Sequence, residues 1–333
     1  MRRIVIILVA ALGCGQPQPA GTDGAVDGDG NLIVDAAVDG DGNLLVDAAV
    51  DAPIDGPPVT LCPAGQWCVE TAPIPAGTRL SAVHAIDATD VFAVGDAGTI
   101  IRRRSNAWST MQSGTTQNLK GVWASSSDDV WAVGQNGTVL HFNGMDWSAV
   151  PGVDNIDYTG VSGSAANAVW LVGTSTVQRW NGIAWTKNAI AGTLLGISGT
   201  GATDIWVCSE AAYLKHSTGA GFSTVMPGGG TDFYAVKAIG ATDVWASTPG
   251  TGTVHFTGSG WTQHATANAV FVSLHAIAAN DVWGVSQSKT GHWNGSTWSI
   301  TTPAGLTMSL WGISGAGAHV WTVGSGATIL HRN

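Results

Sequence analysis

Charge is scarce in this chain of 333 residues. Only 11% are Asp, Glu, Lys or Arg, and two of the acids are glutamates, Glu70 and Glu210. The bases, 13 against 23 acids, form no stripe that could neutralise phosphates, so no nucleic-acid partner is expected. Two distant glutamates serve paired-carboxylate hydrolysis poorly. Tyrosines number three, Tyr158, Tyr213 and Tyr234, and no arginine falls between Arg179 and Arg332, which leaves an arginine-and-tyrosine hydrolytic site without its parts. Neither a Gly-x-Ser-x-Gly elbow nor a His-Glu-x-x-His pair occurs. These gaps point away from an enzyme. What is abundant is glycine (46) and tryptophan (16).

The chain opens with Met1-Arg-Arg, an apolar run Ile4–Leu12 too short to span a bilayer, and Gly13-Cys14. Ala11-Leu-Gly-Cys14 resembles a bacterial lipobox, with Ala where Leu is usual. The resemblance implies a lipoprotein-type signal peptide at 1–13 and lipid attachment at Cys14. Gly15 after it implies outer-membrane sorting, so the expected location is the bacterial cell envelope, with membrane contact through a lipid anchor only. Residues 14–60 form an acidic low-complexity linker. Its 12-residue repeat, Ala25-Val-Asp-Gly-Asp-Gly-Asn-Leu-Ile-Val-Asp-Ala36 and again from Ala37, supplies most of the nine Asp of residues 21–60, which hold no Lys or Arg. Asp27-x-Asp29-x-Asn31 has the spacing of a calcium loop. Yet Leu32 sits where the turn glycine belongs and Val38 where the bidentate Glu belongs, so calcium within 27–47 is the second reading. The first is a disordered, self-repelling tether whose ~45 residues would average roughly 35–40 Å end to end.

From residue 80 onward one pattern recurs. The aromatic of Asp129-Val-Trp-Ala-Val-Gly134 and its counterparts falls at Phe92, Trp131, Trp170, Trp206, Trp245, Trp283 and Trp321, at steps of 36 to 39. A second aromatic follows about 16 residues later: Trp108, Trp147, Trp185, Phe222, Trp261 and Trp298. Each unit carries four short alternating segments separated by turn dipeptides such as Asn143-Gly144. Four strands per ~39 residues is a β-propeller signature. The seventh unit lacks its second aromatic, while an orphan segment Trp67–Glu70 lies upstream. The expected fold is therefore all-β: a seven-bladed propeller of four-stranded blades over 61–333, its last blade closed by that N-terminal strand. Cys62 and Cys68 flank Pro63-Ala-Gly-Gln-Trp67 in a chain expected to be exported, and are expected to form a disulfide that pins the closing strand. Cys208 replaces a core valine of the repeat and reads as a buried thiol.

The Asp-Val-Trp-Ala-Val-Gly…Asn-Gly-x-x-Trp pattern resembles tryptophan-rich propeller repeats of bacterial secreted proteins. It is distantly similar to the Asp-box (BNR) and photosystem-assembly-factor propellers, with a weaker likeness to tectonin-type lectins. Gly144-x-x-Trp147 fits the Asp-box, but Phe142 stands where its Asp should be. The likeness implies a non-catalytic binding or scaffolding module at the cell envelope. A carbohydrate-binding lectin and a glycoside-acting Asp-box enzyme are the alternatives.

Repetition separates scaffold from site. Trp67, Phe92, Trp131, Trp147, Trp170, Trp185, Trp206, Trp245, Trp261, Trp283, Trp298 and Trp321 occupy repeated places and are expected in the core between blades. Arg102, His141, Arg179, His216, His255, His292 and His331 share one seat per unit. Spread around a ring they cannot converge on a metal, so no metal site is expected, and a repeated bond to the Asp or aromatic of the motif is. The inner strand varies instead. One position reads His84, Trp123, Ser162, Ser198, Lys237 and His275; three residues earlier stand Ser81, Lys120, Thr159, Leu195, Tyr234 and Val272, with Trp311 in the last unit. Inner strands surround a propeller's channel mouth. Lys120, Trp123, Tyr234, Lys237, His275 and Trp311 are thus the candidate ligand-binding residues, for a protein or glycan partner; varied local packing accounts for the same positions.

Overall fold

The structure is a computed structural model that describes residues 63–210, 213–225, 232–250, 252–267 and 269–333, with the short strands Ala37–Val38 and Leu44–Leu45. The chain divides into two compact units, Met1–Leu61 and Cys62–Asn333. In the first, Ala37–Val38 and Leu44–Leu45 pair antiparallel within the acidic repeat. The signal segment, Cys14, the residues proposed for calcium and Cys62 otherwise lie outside the described residues.

The second unit is a ring of antiparallel sheets with consecutive strands side by side, as in Leu119–Ser126, Asp129–Gly134, Val139–Phe142 and Trp147–Ala149. The inner strand of each repeat contacts that of the next, and Leu310–Ala316 returns to Leu80–Ala85. Seven four-stranded blades were expected, and this count is corrected. Hydrogen bonding gathers the ring into six sheets, five of four strands and one of six. The six-stranded sheet carries the third and fourth repeats. Ala168–Trp180 and Trp185–Gly199 each stay in the ladder as one strand, bulging at Ser175 (φ 57°) and Gly192 (φ 102°), where other repeats break at a loop. No Asn-Gly pair interrupts Gly173-Thr-Ser-Thr176, and β-branched Thr174, Thr176 and Thr193 favour extension. Trp185–Gly199 pairs with one repeat through Thr193 and with the next through Leu194. Seven aromatic repeats thus ride on six sheets. In the last sheet, Ile329, Leu330 and His331 pair with Glu70, Val69 and Cys68.

Packing follows the repeat. The second-strand aromatic of one unit meets the outer-strand aromatic of the next edge-on: Phe92 with Trp147 (6.3 Å), Trp131 with Trp185 (5.9 Å), Trp170 with Phe222 (6.4 Å) and Trp206 with Trp261 (6.0 Å). Trp245 with Trp298 and Trp283 with Trp67, both 5.8 Å, continue the series. Each pair combines burial worth about 1.5–3 kcal/mol per side chain with the favoured quadrupole geometry. The glycine ending the motif has its own cause. A Cβ at Gly134 would overlap the Asn118 carbonyl, and Gly95, Gly173 and Gly324 face Arg79, Asp157 and Ser309 carbonyls alike.

The shared basic seat is structural. His141 donates to Asp129 (2.6 Å), His216 to Asp204 (2.7 Å), His255 to Asp243 (2.8 Å) and His292 to Asp281 (2.9 Å). The last three imidazoles stack on Trp206, Trp245 and Trp283 at 4.0 Å. Arg102 takes the seat against Asp90 and Phe92. In the last repeat the Asp is replaced by His319, and Glu70 supplies the carboxylate to His331 (3.1 Å).

Candidate ligand-binding channel

The inner strands enclose a cavity of about 320 Å³ lined by residues of all seven repeats. Two residue levels face it, and a β-bulge creates the first. In five inner strands the pairing register skips one residue, and the skipped residues are Ser81, Lys120, Thr159, Leu195 and Trp311. In the other two, Tyr234 and Ala235 both oppose Ser247, and Val272 and Ser273 both oppose Val285. A bulge re-aims a side chain without breaking the strand. All seven bulge residues line the channel, which accounts for two variable positions three apart sharing one cavity, where strict alternation would put them on opposite faces. The sequence carried a signal for this: a small residue, Gly121, Gly160, Gly196, Gly312, Ala82, Ala235 or Ser273, follows each bulge. At Gly121 a Cβ would press on the Gly160 backbone at 3.2 Å, so small residues let neighbouring inner strands approach.

The second level, three residues on, braces one unit to the next. Ser314 Oγ accepts from the Ala85 amide and Ser198 Oγ from the Ala238 amide, both at 3.0 Å. His84 and His275 bond to the backbone of Ala124 and Gly315, the equivalent places one unit on. The Trp123 ring lies over Gly163, where an added Cβ would come within 2.5 Å of it.

The six candidates therefore converge on one cavity, at two depths. Lys120, Tyr234 and Trp311 belong to the bulge level; Trp123, Lys237 and His275 to the second. Trp311 is also engaged elsewhere, with the Arg79 guanidinium 3.9 Å above its ring and its indole N–H donating to Ser325 (2.9 Å). Both tryptophans thus present one face already covered. His84, which the sequence places at the second level without singling it out, completes a group with Lys237 and His275. Burial, then the Lys237 charge, pushes His84 down to about 4. Burial, then Lys237 and His84, holds His275 well below the ordinary imidazole range. Burial lowers the Lys237 ammonium as well. Among the described residues the lining holds no Asp or Glu.

An all-β ring with a side-chain-lined axial channel defines a β-propeller. No protein-family model matches the chain, and no curated protein matches it. Solved structures do. YCF48 bound to D1 peptide is 13% identical, with a TM-score of 0.66, covering 81% of this chain and 96% of that one. The WD40 propeller domain of Doa1 is 12% identical at a TM-score of 0.68, covering 80% and 96%. A catalytically inactive virginiamycin B lyase from Staphylococcus aureus, with quinupristin, is 12% identical at 0.65, covering 80% and 98%. At these identities the likeness is one of fold.

Proposed function

We propose that the protein is a non-catalytic binding module that receives a peptide segment of a protein partner at the mouth of its channel. The observation that carries this reading is the bulge level: the side chains that differ most between repeats stand on bulges at one cavity. A fold neighbour holds a peptide, which supports the same reading. Among the described residues the lining offers its histidines no carboxylate partner for general base work, which favours binding over catalysis. Covered faces on Trp123 and Trp311 favour a peptide over a stacked sugar.

The setting we propose is the bacterial cell envelope, with lipid attachment at Cys14, the acidic segment 14–60 as tether and a Cys62–Cys68 disulfide. The test is parallel peptide and glycan arrays probed with the full chain and with Lys120→Ala and Tyr234→Ala. The reading expects peptide capture that falls at least tenfold in both variants. Glycan capture abolished by Trp123→Ala or Trp311→Ala would establish the lectin instead. Turnover of a glycoside panel, lost on one Asp or Glu substitution, would establish the enzyme.

A further inference from the structure

Most cations of the ring have visible partners. Arg102 and Arg104 pair with Asp90, Arg103 with Glu70 and Lys187 with Asp154. Arg79, Arg179 and Arg332 lie over Trp311, Trp170 and Trp283. Lys120, Lys237 and Lys289 differ: among the described residues none has an ion pair or a hydrogen bond from its ammonium, and Lys237 is the one whose ammonium burial lowers. Among the described residues, the other titratable groups on the cavity lining are His84, His275, Lys120 and Tyr234, none of them a carboxylate. A cation held without a partner in a narrow cavity costs stability and returns none. Serine fills the same position in three repeats, so the fold does not demand a cation there.

The charge of the site selects its ligand. Among the described residues the lining places two amines, Lys237 at the second level and Lys120 at the first, and no carboxylate, which matches an anionic group. A volume of about 320 Å³ admits a chain end or one side chain and not a folded partner.

Building on the peptide-binding reading, we propose that the channel takes one carboxylate group onto Lys237, flanked by His84 and His275. The same chemistry is offered by the terminus or acidic side chain of a peptide and by a free small carboxylate.

The experiment titrates the purified full chain at pH 7 and constant ionic strength with acetate, succinate and the neutral analogue acetamide, following the imidazole resonances of His84 and His275. Acetate and succinate should shift both imidazoles, acetamide neither, and Lys237→Met should weaken the response at least tenfold. Equal response to acetamide, or an unchanged response in Lys237→Met, overturns the site. Should Lys237→Met fail to fold, Lys237→Gln serves, and the acetate–acetamide contrast in the unsubstituted chain decides independently. A second arm compares array-selected peptides with free and amidated C-termini and with acidic residues replaced by amides. Loss of binding on either change assigns the carboxylate to a peptide. Carboxylate binding dependent on Lys237, with no peptide captured, keeps the anion site and defeats the peptide reading. Peptide capture indifferent to Lys237→Met and to both amide changes does the reverse.

Discussion

Glu70 is the carboxylate on which the two ends of the ring meet, and its removal should be felt throughout. Its strand, Cys68–Glu70, belongs to the last sheet, while Arg103 and Trp108 belong to the first. Arg103 reaches both carboxylate oxygens at 3.1–3.2 Å, the Trp108 indole N–H donates at 2.6 Å, and His331 approaches at 3.1 Å. Burial alone would raise the Glu70 pKa; hydrogen bonds from His331 and Arg103, with the Arg103 charge, outweigh it and hold the group below its ordinary value. Glu70→Ala leaves a guanidinium whose side chain is 6% exposed without its counter-charge. Removing one partner of a buried pair costs about 3–5 kcal/mol. With Glu70 itself 18% exposed, the lower end, about 3 kcal/mol, applies. For a domain of this size that is a fall in Tm of about 6–12 °C, read by calorimetry at pH 7. Because the folded pKa is lowered, this stability is present at neutral pH and is lost as pH falls through the folded value. The variant should therefore show a shallower acid limb below pH 4.5. Combining Glu70→Ala with Arg103→Met should recover part of the loss. A variant melting within about 1 °C of the parent would refute the assignment.

Other expectations follow from the same contacts. His255→Ala, which strips Asp243 and uncovers Trp245, should cost about 1–3 kcal/mol by denaturant melt and leave metal content unchanged. Gly134→Ala should exceed an ordinary surface glycine substitution, because its Cβ meets the Asn118 carbonyl; a neutral result would argue against that close approach. His84 and His275 have folded pKa values below the unfolded 6.5, so the unfolded chain binds more protons as pH drops. Stability should fall from pH 6.5 toward 4, and His84→Gln with His275→Gln should flatten that limb in urea melts. Cys208, whose thiol burial pushes up to about 12, should resist alkylation in the native chain and label on unfolding, as peptide mapping would report.

Much of the scaffold was legible because it repeats. The edge-on aromatic pairs and the His–Asp bonds sit at fixed offsets, and one physical cause acting in unit after unit leaves a visible period. The blade count was not legible in the same way. Whether Thr174–Thr176 opens into a loop or only bulges within the ladder depends on local hydrogen bonding that spacing does not encode. The channel residues were legible as variable positions, but the bulge that brings Lys120 and Trp311 to the cavity beside Trp123 and Lys237 was not. Alternation alone assigns residues three apart to opposite faces, and only the small residue after each bulge hinted otherwise.

The contrast between two kinds of basic residue sharpens the functional reading. Arg102, His141, His216, His255 and His292 are basic residues at one repeated seat, and each meets an Asp two positions before the motif aromatic, so each is partnered within its own unit. Lys237 sits at a position where serine, tryptophan and histidine also occur, and where those neighbours reach across to the next unit. Its ammonium makes no such bridge. The partnered seat residues can be replaced only at the expense of the ring, whereas replacing Lys237 by Met should leave the melting temperature unchanged or raise it. Measuring that variant's Tm beside His255→Ala separates the two roles: a loss at Lys237 as large as at His255 would place it in the scaffold.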